Sequence, residues 1–164
     1  FWVLMKELGD TRHEYLVEEF KSGPVCHVDS LSHDSEIAFT RSSQYLNPPF
    51  DIAHGGGIFQ SCTLSVENEK HFQLVELNRQ VMKAFGMVHG ASHSEYIIHD
   101  DKPVFLETSA RVGGAHLADM VEVASGVNLW REWAKIEVAV LAGEEYNKPE
   151  TRHDHAGIIA SLSR

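Results

Sequence analysis

At 164 residues, with 43% apolar and 23% charged content, the chain is long enough to bury a core and has the composition of a soluble globular domain. Its 14 basic and 24 acidic residues give a net charge of -10. That argues against a protein that coats DNA or RNA, where a basic stripe is expected, but not against a nucleotide site whose phosphates a metal ion neutralises. With only two cysteines, Cys26 and Cys62, no disulfide framework is expected and a cytoplasmic location fits; no apolar run matches a membrane span or a signal peptide.

The opening Phe1-Trp2-Val3-Leu4-Met5 lacks an initiator methionine, and Trp2 to Leu8 reads as a helix. Glu14 to Phe20 reads as a strand. The turn Ser22-Gly23-Pro24 leads into a strand over Val25 to Leu31, and His33-Asp34-Ser35 turns into another over Glu36 to Thr40. Asn47 to Gly57, with two prolines and three glycines in a row, reads as a mobile loop, and Ile58 to Val66 as a further strand. Glu69 to Phe85 carries Phe72, Leu74, Val75, Leu77, Val81, Met82 and Phe85 at helical spacing, with Gly86 just past the end. A hairpin follows around Asp100 to Pro103. Helices are expected over Ala115 to Ala124 and Leu129 to Leu141, the second with Asn128 as N-cap and Glu132 one residue beyond capping-box spacing. The final Ala156 to Leu162 reads as a strand cut short. Strands grouped early and helices late give an α+β domain, a mainly antiparallel sheet flanked by helices. Residues 1–164 read as a single domain that is a fragment of a longer protein.

The chemistry concentrates in the hairpin. A three-residue loop centred on Asp101 would place Glu95 opposite Glu107, with Cβ atoms roughly 4.5–5.5 Å apart. Strand alternation puts Glu107, Ser109 and Arg111 on one face. Two carboxylates that close repel unless a cation lies between them, and Mg²⁺ bridging nucleotide phosphates suits such a pair. The alternative is a pair of solvated strand residues on an exposed face. His54-Gly55-Gly56-Gly57 is not an esterase oxyanion loop, because the chain has no Gly-x-Ser-x-Gly elbow. Adjacent residues on a strand face opposite ways, which counts against His153-Asp154-His155 as a metal site; His89 and His93 show no ligand spacing.

Five segments in order resemble the C-terminal half of an ATP-grasp domain, as in biotin carboxylase, carbamoyl-phosphate synthetase and carboxylate–amine ligases. They are Leu16-Val17-Glu18-Glu19-Phe20, Val28-Asp29-Ser30, Ser94-Glu95-Tyr96, Phe105 to Ala115 with its Glu-Thr-Ser-Ala-Arg-Val-Gly-Gly core, and Gly126-Val127-Asn128-Leu129. The likeness runs from about Glu14 to Leu141, leaving 142–164 as the start of a further C-terminal segment.

The resemblance implies ATP with Mg²⁺ (or Mn²⁺) as cofactors. Glu18, Glu19 and Phe20 would form the hinge along the adenine edge; Glu95 and Glu107 would hold the metal on the β- and γ-phosphates. Ser109 stands where the family has asparagine as a further metal ligand. Arg111 would contact the transferred phosphoryl group, and Gly113 and Gly114 would let backbone amides approach it. Val25 replaces the glutamate that grips the ribose in many relatives. Asp29 has two readings, one pointing into the nucleotide site and one solvated. The implied enzyme is a ligase that activates a small-molecule carboxylate as an acyl-phosphate for attack by an amine or similar nucleophile. Its expected partner is the N-terminal ATP-grasp subdomain of the same protein; no nucleic acid or membrane is expected, and homo-oligomerisation stays open. That other subdomain would supply a glycine-rich loop and a lysine, so the isolated fragment is expected to bind ATP weakly and turn over nothing. The alternatives are a bicarbonate-activating enzyme of the biotin carboxylase or carbamoyl-phosphate synthetase type and a non-catalytic nucleotide-binding module. Val112-Gly113-Gly114-Ala115-His116 lacks the glutamate that follows the arginine in biotin carboxylases, which favours the amino-acid ligase reading.

Overall fold

The computed structural model describes residues 2–9 and 15–161. Helix α1 spans Trp2–Leu8; the sheet is built from β1 (Val25–His33), β2 (Glu36–Tyr45), β3 (Phe59–Thr63), β4 (Gly90–His99), β5 (Lys102–Ser109) and β6 (Gly157–Ala160). Their order across the sheet is β5-β4-β1-β2-β3-β6, and every neighbouring pair is antiparallel. Helices α2 (Pro49–Gly55), α3 (Glu69–Ala84), α4 (Leu117–Ser125) and α5 (Leu129–Ala142) complete the α+β fold. No helix among the described residues is long and apolar enough to cross a membrane.

Strand alternation divides the core in two. Cys26 and Val28 of β1 and Tyr96 and Ile98 of β4 pack on Leu74, Val81 and Met82 of α3. On the opposite face Leu31, Phe39 and Ala91 meet Val121 of α4 and Leu129 and Ile136 of α5. The α3 side carries a buried polar relay: Tyr96 Oη donates to Asn78 Oδ1 at 2.8 Å, and Asn78 Nδ2 donates to Ser30 Oγ at 2.8 Å. α3 ends as expected: Gly86 has φ 67°, its amide reaches the Lys83 carbonyl, and the Met87 amide reaches that of Met82.

Two expected elements are corrected. Glu14 lies outside the described residues, and Tyr15 to Phe20 form no strand: they run as exposed coil, with Phe20 87% exposed. Apolar content alone does not make a strand without a ladder partner, and the sheet begins only past Gly23, whose missing Cβ leaves room for the Ile98 carbonyl. The 47–57 loop contains α2. Pro49 sits at the first helical position, where its fixed φ favours the helix and its missing N–H costs nothing, so a residue read as a breaker is a starter.

Both sheet hairpins close in two residues with left-handed backbone, Asp34-Ser35 (φ 52° and 65°) and Asp100-Asp101 (φ 48° and 59°). At the far end Glu132 does not cap α5. Asn128 does so alone, its side chain accepting from the Arg131 amide. The Glu132 side chain is buried, accepting from Lys135 Nζ at 2.8 Å and Tyr146 Oη at 3.0 Å, which ties the segment after α5 to the helix.

Candidate active site

Glu95 does pair with Glu107, but not through the expected loop. The turn has two residues, His99 pairing with Lys102, which by itself would set Glu95 against Leu106. A bulge between Tyr96 and Glu95 leaves Leu106 as the extra residue. Phe105 therefore lies opposite Tyr96 on the α3 side, whereas Glu107 lies opposite Glu95 on the other face. Without the bulge Phe105 and Glu107 would share a face, so the bulge aims the second carboxylate.

Register then sets two rows of residues across this face. One runs Ser109, His93, Asp29, Arg41; the other runs Glu107, Glu95, His27, Ser43, Thr63. Asp29 is fully buried and joins the rows: Oδ2 lies 2.9 Å from His27 Nδ1 and Oδ1 lies 2.8 Å from His93 Nδ1. His27 Nε2 meets Ser61 Oγ at 2.9 Å. His93 Nε2 lies 3.4 Å from Tyr45 Oη and 3.6 Å from Glu95 Oε1, and Tyr45 Oη donates to the same Oε1 at 2.7 Å.

Burial alone would push the Asp29 carboxyl up, but hydrogen bonds from His27 and His93 outweigh it and hold the acid far below the usual carboxylate range. Burial likewise acts to lower His93, yet Asp29 and Glu95 overcome it and raise the imidazole to about 9. Glu95 is lowered despite its own burial by His93 and Tyr45. The Tyr45 hydroxyl is pushed well above its ordinary value, first by burial and then by the charge of Glu95, with Glu107 adding to it. The protein thus places an imidazole of its own beside Glu95.

Asp29 is therefore not solvated; both of its oxygens are engaged by histidines. Gly113 packs against this network: a Cβ there would lie 2.7 Å from Asp29 Oδ1 and 3.0 Å from His93 Nδ1. Gly114 is exposed beside the Arg111 guanidinium, which donates to the Val112 carbonyl at 3.0 Å. The loop continues through Ala115 (φ 49°) and His116 (φ 62°), two left-handed residues in succession, into α4. Ser109 sits half-buried opposite His93, and Arg111 is exposed beyond the end of β5.

Glu18, Glu19 and Phe20 are exposed coil, Glu19 pairing with Lys21 at 2.7 Å. Through the Pro24 carbonyl, which accepts from the Ile98 amide, this segment enters the sheet at the end that carries the glutamate pair. The 153–155 tract is held by backbone contacts: the Asp154 amide donates to Ala124, and Arg41 donates to the Asp154 carbonyl.

The buried residues that sequence reading missed are His27, His93 and Tyr45. The available signal was two His-x-acid pairs, His27 with Asp29 and His93 with Glu95, each on one face of a strand. Among the described residues the groups whose donor atoms converge closely enough to hold an ion are His27-Asp29-His93 and His33-Asp34-His89. In the first, the short N–O distances are hydrogen bonds, which an ion would have to displace.

No family model matches the sequence. The chain is 31% identical over 114 residues, 68% of its length, to an L-arginine-specific L-amino acid ligase of Bacillus subtilis, of which the alignment covers 27%. It superposes on an L-amino acid ligase from Bacillus licheniformis with TM-score 0.64 and 20% identity, covering 93% of this chain and 39% of that one. A putative ATP-grasp superfamily protein from Archaeoglobus fulgidus matches with TM-score 0.53 and 15% identity, over 88% of this chain and 48% of that one. The chain thus spans well under half the length of the ligases it matches, and its sheet and helices have the fold of an ATP-grasp protein.

Proposed function

We propose that the protein carrying this chain is an ATP-dependent ligase that activates a carboxylate as an acyl-phosphate for attack by an amine or similar nucleophile. The observation that carries this reading is the bulge-set opposition of Glu95 and Glu107, with Arg111 just past the strand. It comes in a chain 31% identical to an L-amino acid ligase.

The donor set fits a hard divalent cation. Both groups are carboxylates, Glu107 is exposed, and Glu95 is held ionised and oriented rather than sunk in the core. Glu95 and Glu107, with Ser109 beside them, would hold Mg²⁺ or Mn²⁺. Bound there, such an ion supplies charge neutralisation to the nucleotide phosphates. The work of the chain itself is positioning. Arg111 stands exposed, where its planar guanidinium would donate to a transferring phosphoryl group. Gly114 leaves the backbone open beside it. Glu18, Glu19 and Phe20 are exposed, as an adenine hinge requires, and the exposed apolar side chains of this stretch suit contact with the rest of an ATP-grasp domain.

Replacing Glu107 with Gln in the full-length protein tests the reading. Removing one charge-stabilising group is expected to lower amino-acid-dependent ADP release on the order of 10²–10³-fold. An unchanged rate would instead favour a non-catalytic nucleotide-binding module.

A further inference from the structure

We propose that Asp29, His93 and Tyr45 are positioning residues for Glu95, fixing its carboxylate on the face it shares with Glu107 so that a divalent cation meets preset oxygens. The inference rests on the ligase reading above and adds to it three residues that contact neither metal nor nucleotide.

The argument begins with an expense. A carboxylate buried as fully as Asp29 gives up its hydration, and a well-packed apolar residue would hold β1 to β4 at least as well. What the ion pair adds is direction. With Nδ1 tied to Asp29 Oδ1 at 2.8 Å, the His93 ring cannot turn, and Nε2 must face Tyr45 and Glu95. Tyr45 enters from β2, its ring packed among Leu117 and Met120, and spends its only proton on Glu95 Oε1 at 2.7 Å. One oxygen of Glu95 thus accepts from Tyr45 on β2, and the His93 ring, two residues back on β4, stands 3.6 Å from the same oxygen and 3.4 Å from the Tyr45 hydroxyl. Groups that hydrogen-bond a metal-ligating carboxylate orient it in this manner.

Two further contacts make the chain rigid. His27 ties the other Asp29 oxygen to Ser61 on β3. Gly113 lies so close over Asp29 and His93 that no side chain fits, which seats the loop after Arg111 on the same network. Glu95 on β4 and the Arg111 loop therefore share one anchor.

The experiment measures Mn²⁺ binding to the full-length protein in the presence of ATP, by the free-ion paramagnetic resonance signal, for Tyr45→Phe, His93→Gln and Glu95→Gln. Thermal unfolding is recorded alongside. Loss of an outer partner is expected to weaken Mn²⁺ about 10-fold or more in Tyr45→Phe and His93→Gln. Adding Tyr45→Phe to Glu95→Gln should weaken it no further, since the oriented group is gone. Tyr45→Phe keeps the ring and its packing, so it decides the matter even if His93→Gln fails to fold. A merely structural network would lower the unfolding temperature and leave Mn²⁺ affinity alone. Wild-type affinity in Tyr45→Phe, with affinity lost in Glu95→Gln, overturns the positioning role and leaves the ligase reading standing. Wild-type affinity in Glu95→Gln removes the ligand assignment and this inference together.

Discussion

Asp29 and His93 face each other across β1 and β4 with Oδ1 and Nδ1 2.8 Å apart, and the backbone of Gly113 closes over them with no room for one more carbon. Gly113→Ala would thrust its methyl against the carboxylate. The cost is expected at about 1–3 kcal/mol, as for other forced insertions into a packed interior. Urea unfolding should show a lower midpoint at unchanged slope; a wild-type midpoint would mean the loop lifts freely off the network.

The β4–β5 turn holds Asp100 and Asp101 at φ 48° and 59°, a backbone that glycine adopts without a steric penalty. Asp101→Gly should relieve that strain by about 0.5–1 kcal/mol, raising the unfolding temperature by about 1–4 °C. A fall in unfolding temperature would show that the Asp101 side chain itself holds the turn.

Glu132 is 2% exposed and accepts from Lys135, Tyr146 and Arg131. Burial alone would raise its pKa, but these bonds win and lower it. A carboxylate lowered on folding adds stability above its unfolded pKa of about 4.3, and that stability is lost as pH falls through the folded value. Glu132→Gln should therefore cost about 1–3 kcal/mol at pH 7. The gap from wild type should close below pH 4 in denaturant titrations run at several pH values. A gap independent of pH would assign the loss to packing.

Cys26 is buried among Val28, Leu74 and Tyr96, and burial pushes its thiol up to about 11. Cys62 is partly exposed on β3, and neither cysteine is in a disulfide. Iodoacetamide at pH 8 should label Cys62 alone in the folded chain, and both residues in urea. Labelling of Cys26 at a comparable rate without denaturant would show that the β1–α3 layer opens.

Much of the fold was legible because its signals are local. The α3 periodicity, the turn residues at 34–35 and 100–101, the Asn128 cap and the alternating apolar strands each depend on a few neighbouring residues. The misread segments are those where a local signal has two outcomes. Proline at Pro49 begins a helix instead of ending one, and the apolar run Leu16-Val17 finds no strand to pair with.

The glutamate pair shows the division most clearly. Residue types and spacing alone mark Glu95, Glu107 and Arg111 as one cluster, because a hairpin brings near-symmetric positions together whichever turn closes it. Which face Glu107 takes depends on the bulge at Leu106, which no turn residue announces. The histidine–aspartate network is less visible still. His27 and Asp29 are 64 or more residues from His93, and only the antiparallel register of β1 against β4 makes them neighbours. Sequence alone determined most of the elements and the acids, whose causes lie within a turn or a hairpin. Tertiary structure decided what holds those acids in place, since buried partners are set by long-range strand pairing that short-range chemistry does not encode.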